Sequence, residues 1–257
     1  MDVELLLSPL LERAGFDHGF TKRTGGVSEG AFAALNLAFD VGDEPERVRE
    51  NLGRLQAAVG AGAPLARVRQ VHGNAIADAA RLFESGCGDW LAPPEIEADA
   101  IVSSGLDAVL AVQTADCAAV ILADPDSRAV AAVHAGWRGA CNGVLRNAVR
   151  ALRDRGADPG TLLAAIGPCI GPECYEVGEE VARRFPESVD PVRGKPGAFL
   201  IDLAFAVEVS LIGAGLTSGN IDRVRVCTRC ASGELFSHRG SGGTCGRAMG
   251  FVRSGAR

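Results

Sequence analysis

The stretch TADCAAVILADPDSRAVAAVHAGWRG, residues 114–139, decides the fold. Two short apolar runs, Ala118–Ala123 and Ala129–His134, lie on either side of the sequence Asp-Pro-Asp-Ser-Arg at 124–128. Proline and aspartate favour tight turns, and short apolar runs that flank such residues are typical of paired strands. The stretch therefore predicts a β-hairpin with its loop at 124–128.

The register of this hairpin brings two reactive side chains together. If the loop is centred on Asp126, Ala118 faces His134, and Cys117 is a diagonal neighbour of His134. Diagonal partners across two strands lie within reach of each other's side chains. We therefore expect Cys117 and His134 to meet at the open end of the hairpin, although they are 17 residues apart in sequence.

A cysteine and a histidine in this position have two functional interpretations. They could form a nucleophile and its base, or they could be two ligands of a zinc ion. His72, at the end of a predicted strand Arg67–Val71, is the candidate for a third ligand. Three protein ligands leave an open coordination position, which is typical of catalytic zinc. The structural alternatives are a buried apolar cysteine and a hydrogen-bonded histidine.

The residues after His134 predict an anion site. HAGWRG leads into a predicted helix from Gly139 to Arg155, and the free N–H groups at a helix N-terminus attract anions. Arg138 adds a fixed cation with bidentate donors. Phosphate or carboxylate is the expected ligand. The alternative is that Trp137 packs in the fold and Arg138 pairs with a surface aspartate.

The remaining cysteines carry a weaker signal. Cys227-Thr228-Arg229-Cys230 is a C-x-x-C motif, which could form a second zinc site with His238 and Cys245. The spacing is irregular, however, and no second C-x-x-C is present. A structural or incidental role is the favoured interpretation for Cys169, Cys174, Cys227 and Cys230.

Elsewhere the pattern alternates between strands and helices, which is typical of an α/β fold. The expected strands are a short one within 16–28, Ala100–Ser103, Ala108–Val112, Leu162–Ile166 and Val224–Cys227. The expected helices are 44–59 with a capping box of Asp43 and Glu46, Val177–Phe185, and one capped by Asp202 that ends near Leu211. We find no repeat or linker, so one domain over residues 1–257 is expected.

Composition narrows the functional classes. The chain of 257 residues has a net charge of −6, so no overall basic field favours nucleic acid. No apolar run is long enough to span a bilayer, and the first residues do not resemble a secretory signal. Eight cysteines without such a signal predict a cytoplasmic protein. Four histidines are too few for several copper centres, which weighs against a multicopper oxidase.

Several short segments are HGFT at 18–21, LNL at 35–37, QVHG at 70–73, ADA at 98–100, TADC at 114–117, HAGWRG at 134–139, IGP at 170–172 and CT at 227–228. Together they resemble the YfiH/YlmD-type family, formerly called polyphenol oxidase or laccase-domain proteins. The family includes purine nucleoside phosphorylases and a peptidoglycan editing factor. Two departures are Ala118-Ala119, where the family has a bulky residue and proline, and His238-Arg239-Gly240, where it has an aromatic before paired arginines. The segments that carry the resemblance span nearly the whole chain.

The resemblance implies a single-domain α/β fold with β-sheets sandwiched between helices. It implies a zinc ion held by His72, Cys117 and His134, with Cu²⁺ as an alternative in vitro. The implied activity is phosphorolysis of adenosine, inosine, guanosine and methylthioadenosine, together with deamination of adenosine. The expected partners are a nucleoside and phosphate, and the expected state is a monomer.

Roles for individual residues follow as hypotheses. Cys117 and Asp116 are candidate catalytic residues, the latter to orient a ligand or move a proton. Arg138 is expected to hold phosphate, assisted by Arg23 or Arg239. A further substrate contact is expected from the asparagine of the Leu-Asn-Leu segment, Asn36.

Three rival functions stay open. A peptidoglycan-editing hydrolase would use Cys117 and His134 to cleave the amide of a wrongly loaded UDP-MurNAc-amino acid. A copper-dependent polyphenol oxidase is less favoured by the histidine count. A binding protein without activity would hold zinc but turn over no substrate.

Overall fold

The computed structural model describes residues 2–60 and 62–255, which contain seven α-helices and fourteen strands. The helices are α1 Pro9–Arg13, α2 Pro45–Leu55, α3 Ala79–Glu84, α4 Trp137–Cys141, α5 Val144–Arg153, α6 Glu179–Ala182 and α7 Leu203–Gly213. The strands in the first half are β1 Leu5–Leu6, β2 His18–Thr21, β3 Leu65–Ala66, β4 Ile76–Asp78, β5 Ala100–Ser103, β6 Ala108–Thr114 and β7 Ala118–Ala123. Those in the second half are β8 Val130–Ala135, β9 Leu163–Ile166, β10 Glu176–Gly178, β11 Val189–Pro191, β12 Ala198–Ile201, β13 Ile221–Arg223 and β14 Ala248–Ser254.

Two large sheets form the centre of the molecule. The first has the strand order β1-β2-β14-β6-β3, and the second has the order β13-β9-β7-β8-β5-β4. Most neighbours are antiparallel, whereas the pairs β3–β6, β4–β5 and β9–β13 at the sheet edges are parallel. A small third sheet, β10-β12-β11, lies outside this pair.

The two sheets share one core and each has a second core on its outer face. Ile121 of β7 belongs to the core between the sheets, with Leu110 of β6. Its neighbour Val120 points the opposite way, into the core that contains Leu145 of α5. Strands buried on both faces need continuous apolar runs, and all six residues of β7 are buried.

The outer face of the five-stranded sheet packs against α2, where Leu52 shares a core with sheet residues such as Phe251. The layers are therefore helix, sheet, sheet and helix. This confirms the expected arrangement of β-sheets between helices. Among the described residues, no helix is long and apolar enough to cross a membrane.

The predicted hairpin is present, but its register differs by one residue. Ala119 pairs with His134, and Ala118 pairs with Ala135. The loop centre lies past Asp126 because the backbone N–H of Asp124 bonds to the carbonyl of Ala129. Cys117 still lies at the open end of the hairpin, beside His134.

The predicted helix from Gly139 to Arg155 is two helices, α4 and α5. Gly143 separates them with a φ of 84°, a left-handed conformation that ends the first helix. The helix that directly follows His134 is therefore the five-residue α4. Its short length weakens the helix-dipole part of the predicted anion site.

Two other helix predictions need correction at their N-termini. The helix expected over 44–59 is α2 followed by a π-helical turn, Gln56–Gly60, but the capping box is wrong. Asp43 instead accepts hydrogen bonds from the side chains of Ser28 and Asn36 and from the N–H of Glu44. The helix expected over Val177–Phe185 begins as strand β10, because this segment pairs with β12.

Two strand predictions were displaced. The strand expected at Arg67–Val71 is not formed, because β3 ends at Ala66. Within the expected range only Arg69 makes an isolated β-bridge, to Glu97. The strand expected at Val224–Cys227 lies at β13, three residues earlier. By contrast, β5 and the cap of α7 are as predicted, with the Asp202 side chain accepting from the N–H of Phe205.

Candidate functional site

The three predicted ligands meet where two strands end. His134 lies in β8, Cys117 immediately precedes β7, and His72 lies in the loop after β3. Their ligand atoms all lie within 4.8 Å of one another. The Cys117 Sγ is 3.9 Å from the Nε2 atom of His72, and the two imidazole rings stand edge to face at 4.8 Å. The cluster contains one thiol and two imidazoles, a donor set that suits zinc.

A buried carboxylate behind this cluster orients both histidines. Asp99 has no exposed surface, and its Oδ1 accepts from the Nδ1 of His134 at 2.8 Å. It also accepts the backbone N–H groups of His72 at 2.9 Å and Gly73 at 2.6 Å. With Nδ1 of His134 engaged, its Nε2 atom is left as the ligand atom. A carboxylate that fixes a ligating histidine in this way is typical of zinc proteins.

Sequence reasoning missed Asp99 as a functional residue. Its one local signal was its place in the Ala98-Asp99-Ala100 segment, directly before β5. The backbone carbonyl of Asp99 also accepts the N–H of His134 at 2.7 Å. Asp99 thus joins β8 to the loop of His72 from both its backbone and its side chain.

Charges within the cluster shift the pKa values of its members. Burial alone would raise the pKa of Cys117, but hydrogen bonds with His134 and His72 and their charges lower it to about 6. Burial would lower the pKa of His134, but the bonds to Asp99 and Cys117 raise it to about 9. For Asp99, burial is outweighed by the bonds from His134 and Gly73, so its pKa is lowered. The site therefore favours a thiolate and a carboxylate, which both attract a cation, beside a protonated His134, which would release its Nε2 proton when a cation binds.

The first glycine of HAGWRG, Gly136, is required by close packing at the cluster. A Cβ atom on Gly136 would lie 2.8 Å from Cys117 Sγ and 3.1 Å from a ring carbon of His72. Contacts below 3.0 Å force a displacement, and the atom that would move is the candidate ligand sulfur. Gly136 therefore allows the thiol and the exposed His72 ring to approach each other.

The strand predicted at Arg67–Val71 is replaced by a side-chain contact that positions His72. The amide of Gln70 donates to the carbonyl of Gln113 at 2.8 Å and accepts the N–H of Gln113 at 2.7 Å. These two bonds mimic a pair of strand hydrogen bonds. The loop of His72 is thereby attached to the end of β6 without continuing strand β3.

A cavity of about 460 Å³ opens beside the three ligands. This volume lies in the range of small-molecule sites. Its wall combines aromatic, cationic and amide side chains, which are Phe39, Tyr175, Arg69, Arg239, Arg247, Gln70, Gln113 and His238, with Asp116 close to the ligands. The arrangement can bind a partly apolar molecule that carries an anionic group.

Asp116 lies on the cavity wall but is already hydrogen-bonded on both oxygens. It has a left-handed φ of 87°. Its Oδ1 accepts from the Thr228 hydroxyl at 2.5 Å, and its Oδ2 accepts from the N–H of Arg239 at 2.6 Å. These contacts show Asp116 as a link between the Cys117 loop and two distant segments.

Three arginines of the cavity wall differ in their partners. Arg69 forms an ion pair with Glu97 at 2.6 Å. Arg239 donates to the carbonyl of Glu176 at 2.7 Å and lies 5.5 Å from the Tyr175 ring. Arg247 donates to the carbonyls of Cys245 and Gly246. Carbonyl partners leave a guanidinium charge available to an anionic ligand, so Arg239 and Arg247 suit that role.

Three predicted substrate contacts lie away from the cavity wall. Arg138 is exposed, stacks over Trp137 at 4.3 Å, and is near enough to Tyr175 for its charge to influence that hydroxyl. Arg23 donates to the carbonyls of Ala33 and Ser232. Neither arginine is among the lining residues of this cavity.

Asn36 contacts the backbone of Arg247, a residue of the cavity wall. It is fully buried and donates to Asp43, while its Oδ1 accepts the N–H of Arg247 at 2.9 Å. Asn36 therefore positions Arg247, a cavity residue that sequence reasoning missed. The signal for Arg247 was weak because it lies in a glycine-rich tail with no strand or helix pattern before it.

Comparisons with known proteins agree with this architecture. A family model described as "Multi-copper polyphenol oxidoreductase laccase" matches residues 17–254. The purine nucleoside phosphorylase of Deinococcus radiodurans is 38% identical over 239 residues, which cover 91% of this chain and 88% of the relative. The purine nucleoside phosphorylase YlmD of Geobacillus stearothermophilus is 35% identical over 254 residues, covering 93% and 90% of the two chains.

Solved structures show the same fold. YlmD from Geobacillus stearothermophilus superimposes with a TM-score of 0.85 at 30% identity, covering 97% of this chain and 94% of that one. The hypothetical protein YfiH from Bacillus licheniformis gives a TM-score of 0.84 at 28% identity, covering 97% and 96%. The predicted resemblance to YfiH- and YlmD-type proteins is confirmed.

Proposed function

The chain belongs to the family described as multi-copper polyphenol oxidoreductase laccase, and we propose that it is a zinc-dependent purine nucleoside phosphorylase. The relatives named above as purine nucleoside phosphorylases support this activity. The observation that carries the proposal is the cluster of His72, Cys117 and His134 at the base of a cavity lined by arginines and aromatic rings. We propose deamination of adenosine as a second activity of the same site.

The donor set fits zinc. His72, Cys117 and His134 would hold the ion, and Asp99 fixes the donor atom of His134. Two imidazoles and a thiolate also accept Cu²⁺, so copper is expected to load in vitro when it is supplied. When bound, zinc would supply Lewis-acid chemistry to a substrate oxygen or to water.

The cavity suits a nucleoside and phosphate. Phe39 and Tyr175 offer aromatic faces for a purine, and Arg239 and Arg247 offer cations for phosphate. Arg138 stays a predicted phosphate contact at the margin, since its charge lies close to Tyr175. Adenosine, inosine, guanosine and methylthioadenosine are the proposed nucleosides.

In phosphorolysis, a phosphate oxygen attacks the anomeric carbon of ribose and the purine leaves with the bonding electrons. The arginines would orient the phosphate and balance its charge, which converts an encounter of two molecules into a reaction within one complex. Asp116 positions the Arg239 backbone, so it would act on phosphate through Arg239.

The lowered pKa of Cys117 favours one second candidate. A thiol with a pKa of about 6, in contact with two histidines, also suits nucleophilic cleavage of an amide. This would be the reaction of a peptidoglycan-editing hydrolase on a UDP-MurNAc-amino acid. A copper-dependent polyphenol oxidase is less supported, because the four histidines of the chain are few for several copper centres.

The deciding experiment combines metal analysis with product analysis on one preparation. Adenosine with phosphate should give adenine and ribose-1-phosphate, and adenosine without phosphate should give inosine slowly. Release of serine from UDP-MurNAc-L-Ser without any release of base would favour the editing hydrolase. Oxidation of a phenol with a blue-copper absorption band would favour the oxidase.

A further inference from the structure

A second group of sulfur atoms lies outside the cluster described above. Cys174 ends the 3₁₀ turn Pro172–Cys174, and Cys227 and Cys230 belong to the C-x-x-C segment. The three sulfur atoms lie within 4.8 Å of one another, and those of Cys174 and Cys230 are 3.4 Å apart. We call this group the tri-cysteine cluster.

The tri-cysteine cluster differs in its residues from the second zinc site that the sequence suggested. Cys174 takes the place expected for His238 and Cys245. His238 instead lines the cavity, and Cys245 is buried beside Phe236. The 52 residues between Cys174 and Cys227 hide the association in the sequence, and a backbone β-bridge between Cys169 and Cys227 brings the two segments together.

Backbone donors surround one of the three sulfurs. The N–H of Gly171 donates to Cys227 Sγ at 3.2 Å, and the backbone N–H groups of Cys230 and Arg229 also contribute to lowering its pKa. Burial raises the pKa of Cys227, but these donors outweigh it, and the pKa is lowered. Several N–H donors on one sulfur stabilise the thiolate, which is the form that binds metals.

The other two sulfurs, those of Cys174 and Cys230, are in direct contact. The contact with Cys230, followed by burial, raises the pKa of Cys174 to about 11. A divalent cation among the three sulfurs would favour their thiolate forms, and each ligating thiol would release its proton to water. Cys230 is exposed and the other two are partly exposed, so an ion can reach them.

We propose that Cys174, Cys227 and Cys230 bind a second divalent metal ion of the thiophilic class, with zinc as the expected occupant. Three thiolates at this spacing provide three corners of a tetrahedral site, and solvent can supply the fourth ligand. The ion would join the turn at 172–174 to the segment at 227–230.

Both segments support the cavity. Tyr175, which lines the cavity, follows Cys174 directly, and Thr228, which follows Cys227, holds the carboxylate of Asp116. The second ion is therefore expected to stabilise the cavity wall, whereas the reacting groups belong to the first cluster. The proposal does not depend on which reaction the first cluster performs.

The test counts metal ions in matched variants. Metal-free protein kept under a thiol-free reductant is titrated with Cd²⁺, and thiolate-to-cadmium absorption and bound metal are both measured. Cys174→Ser/Cys230→Ser should bind one equivalent fewer than the wild type and lose most of the absorption. Cys230→Ser alone, at an exposed position, should bind the second equivalent at least tenfold more weakly. Cys87→Ser, at a cysteine outside both clusters, should match the wild type.

Two results would overturn the proposal. The first is unchanged stoichiometry in a folded Cys174→Ser/Cys230→Ser protein. The second is a disulfide between Cys174 and Cys230 in the wild type as purified, which would identify a redox pair. Loss of metal in Cys117→Ala reports only on the first cluster, so the two sites fail independently in this assay.

Discussion

The two sulfur-containing clusters differ in what lies behind the ligand atoms. At the first cluster, the fully buried Asp99 fixes His134, which lies in β8, and the loop of His72, while Cys117 immediately precedes β7. At the tri-cysteine cluster, the ligands lie on turns, and the donors to Cys227 are backbone N–H groups. A carboxylate behind a histidine tunes and orients a ligand, whereas N–H donors only stabilise a thiolate. The difference indicates a reactive centre in one place and a structural one in the other.

The strongest test of this distinction is removal of a ligand from the first cluster. Cys117→Ala should lose the metal of that cluster and reduce phosphorolysis to background, because two imidazoles alone hold zinc poorly. His134→Ala should behave in the same way. Metal content by elemental analysis and adenine release are the measurements. Cys141→Ala, at a partly buried cysteine of α4, is the control and should keep both. Full metal occupancy in both ligand variants would show that Cys117 and His134 do not hold the metal.

The next test concerns the carboxylate that sets the first cluster apart. Asp99→Asn keeps the shape of the side chain but removes its charge, and outer-shell changes of this kind typically cost about 10–100-fold in metal affinity or activity. Competition with a chelator and kcat measurements would report the loss. Asp124→Asn, at another buried aspartate on the far end of the hairpin, should lower stability without changing metal affinity. Equal metal affinity in the two variants would contradict the role of Asp99.

The hairpin shows how far the sequence can predict such a centre. Apolar runs and a turn sequence locate β7 and β8, and a short loop limits the register to within one residue of the observed pairing. Cys117 and His134 follow from that local geometry. The same local logic located β5 and the Asp202 cap of α7.

The residues that sequence reasoning missed depend on contacts between distant segments. β14 pairs with β2 and β6, which precede it by more than 130 residues, and its own segment follows a glycine-rich tail. Asp99 becomes important only when β8 and the His72 loop lie on either side of it. Arg247 reaches the cavity because a distant asparagine binds its backbone. No periodicity within one segment carries this information.

A smaller effect is expected from replacing the arginines that are proposed to bind phosphate, a role that the tri-cysteine cluster does not share. Arg247→Ala and Arg138→Ala should each raise the KM for phosphate, since a lost charge-assisted contact costs about 1.5–3 kcal/mol, or roughly 10–150-fold. Arg247 lines the cavity and should be near the upper value, and exposed Arg138 near the lower. Deamination does not use phosphate and should suffer less.

Kinetics of both reactions on the same zinc-loaded preparations would test this. Arg146→Ala, at an exposed arginine of α5, is the control and should match the wild type. Equal losses of phosphorolysis and deamination in Arg138→Ala would show that Arg138 supports the structure or the nucleoside. An unchanged phosphate KM in Arg247→Ala would place the phosphate elsewhere.

The smallest effect on phosphorolysis is expected at the tri-cysteine cluster itself. Cys230→Ser should keep kcat within about twofold, because an ion there would hold two turns together and touch no reacting group. Its thermal stability should rise less than that of the wild type when zinc is added, because only the first cluster keeps its full affinity; a ligand at a hundred times its Kd stabilises a folded protein by about 2.7 kcal/mol. Melting temperatures at several free zinc concentrations, with Cys87→Ser as the matched control, would measure the difference. A large loss of kcat with an unchanged response to zinc would mean that this cluster acts in the chemistry, and the contrast between the two centres would then be wrong.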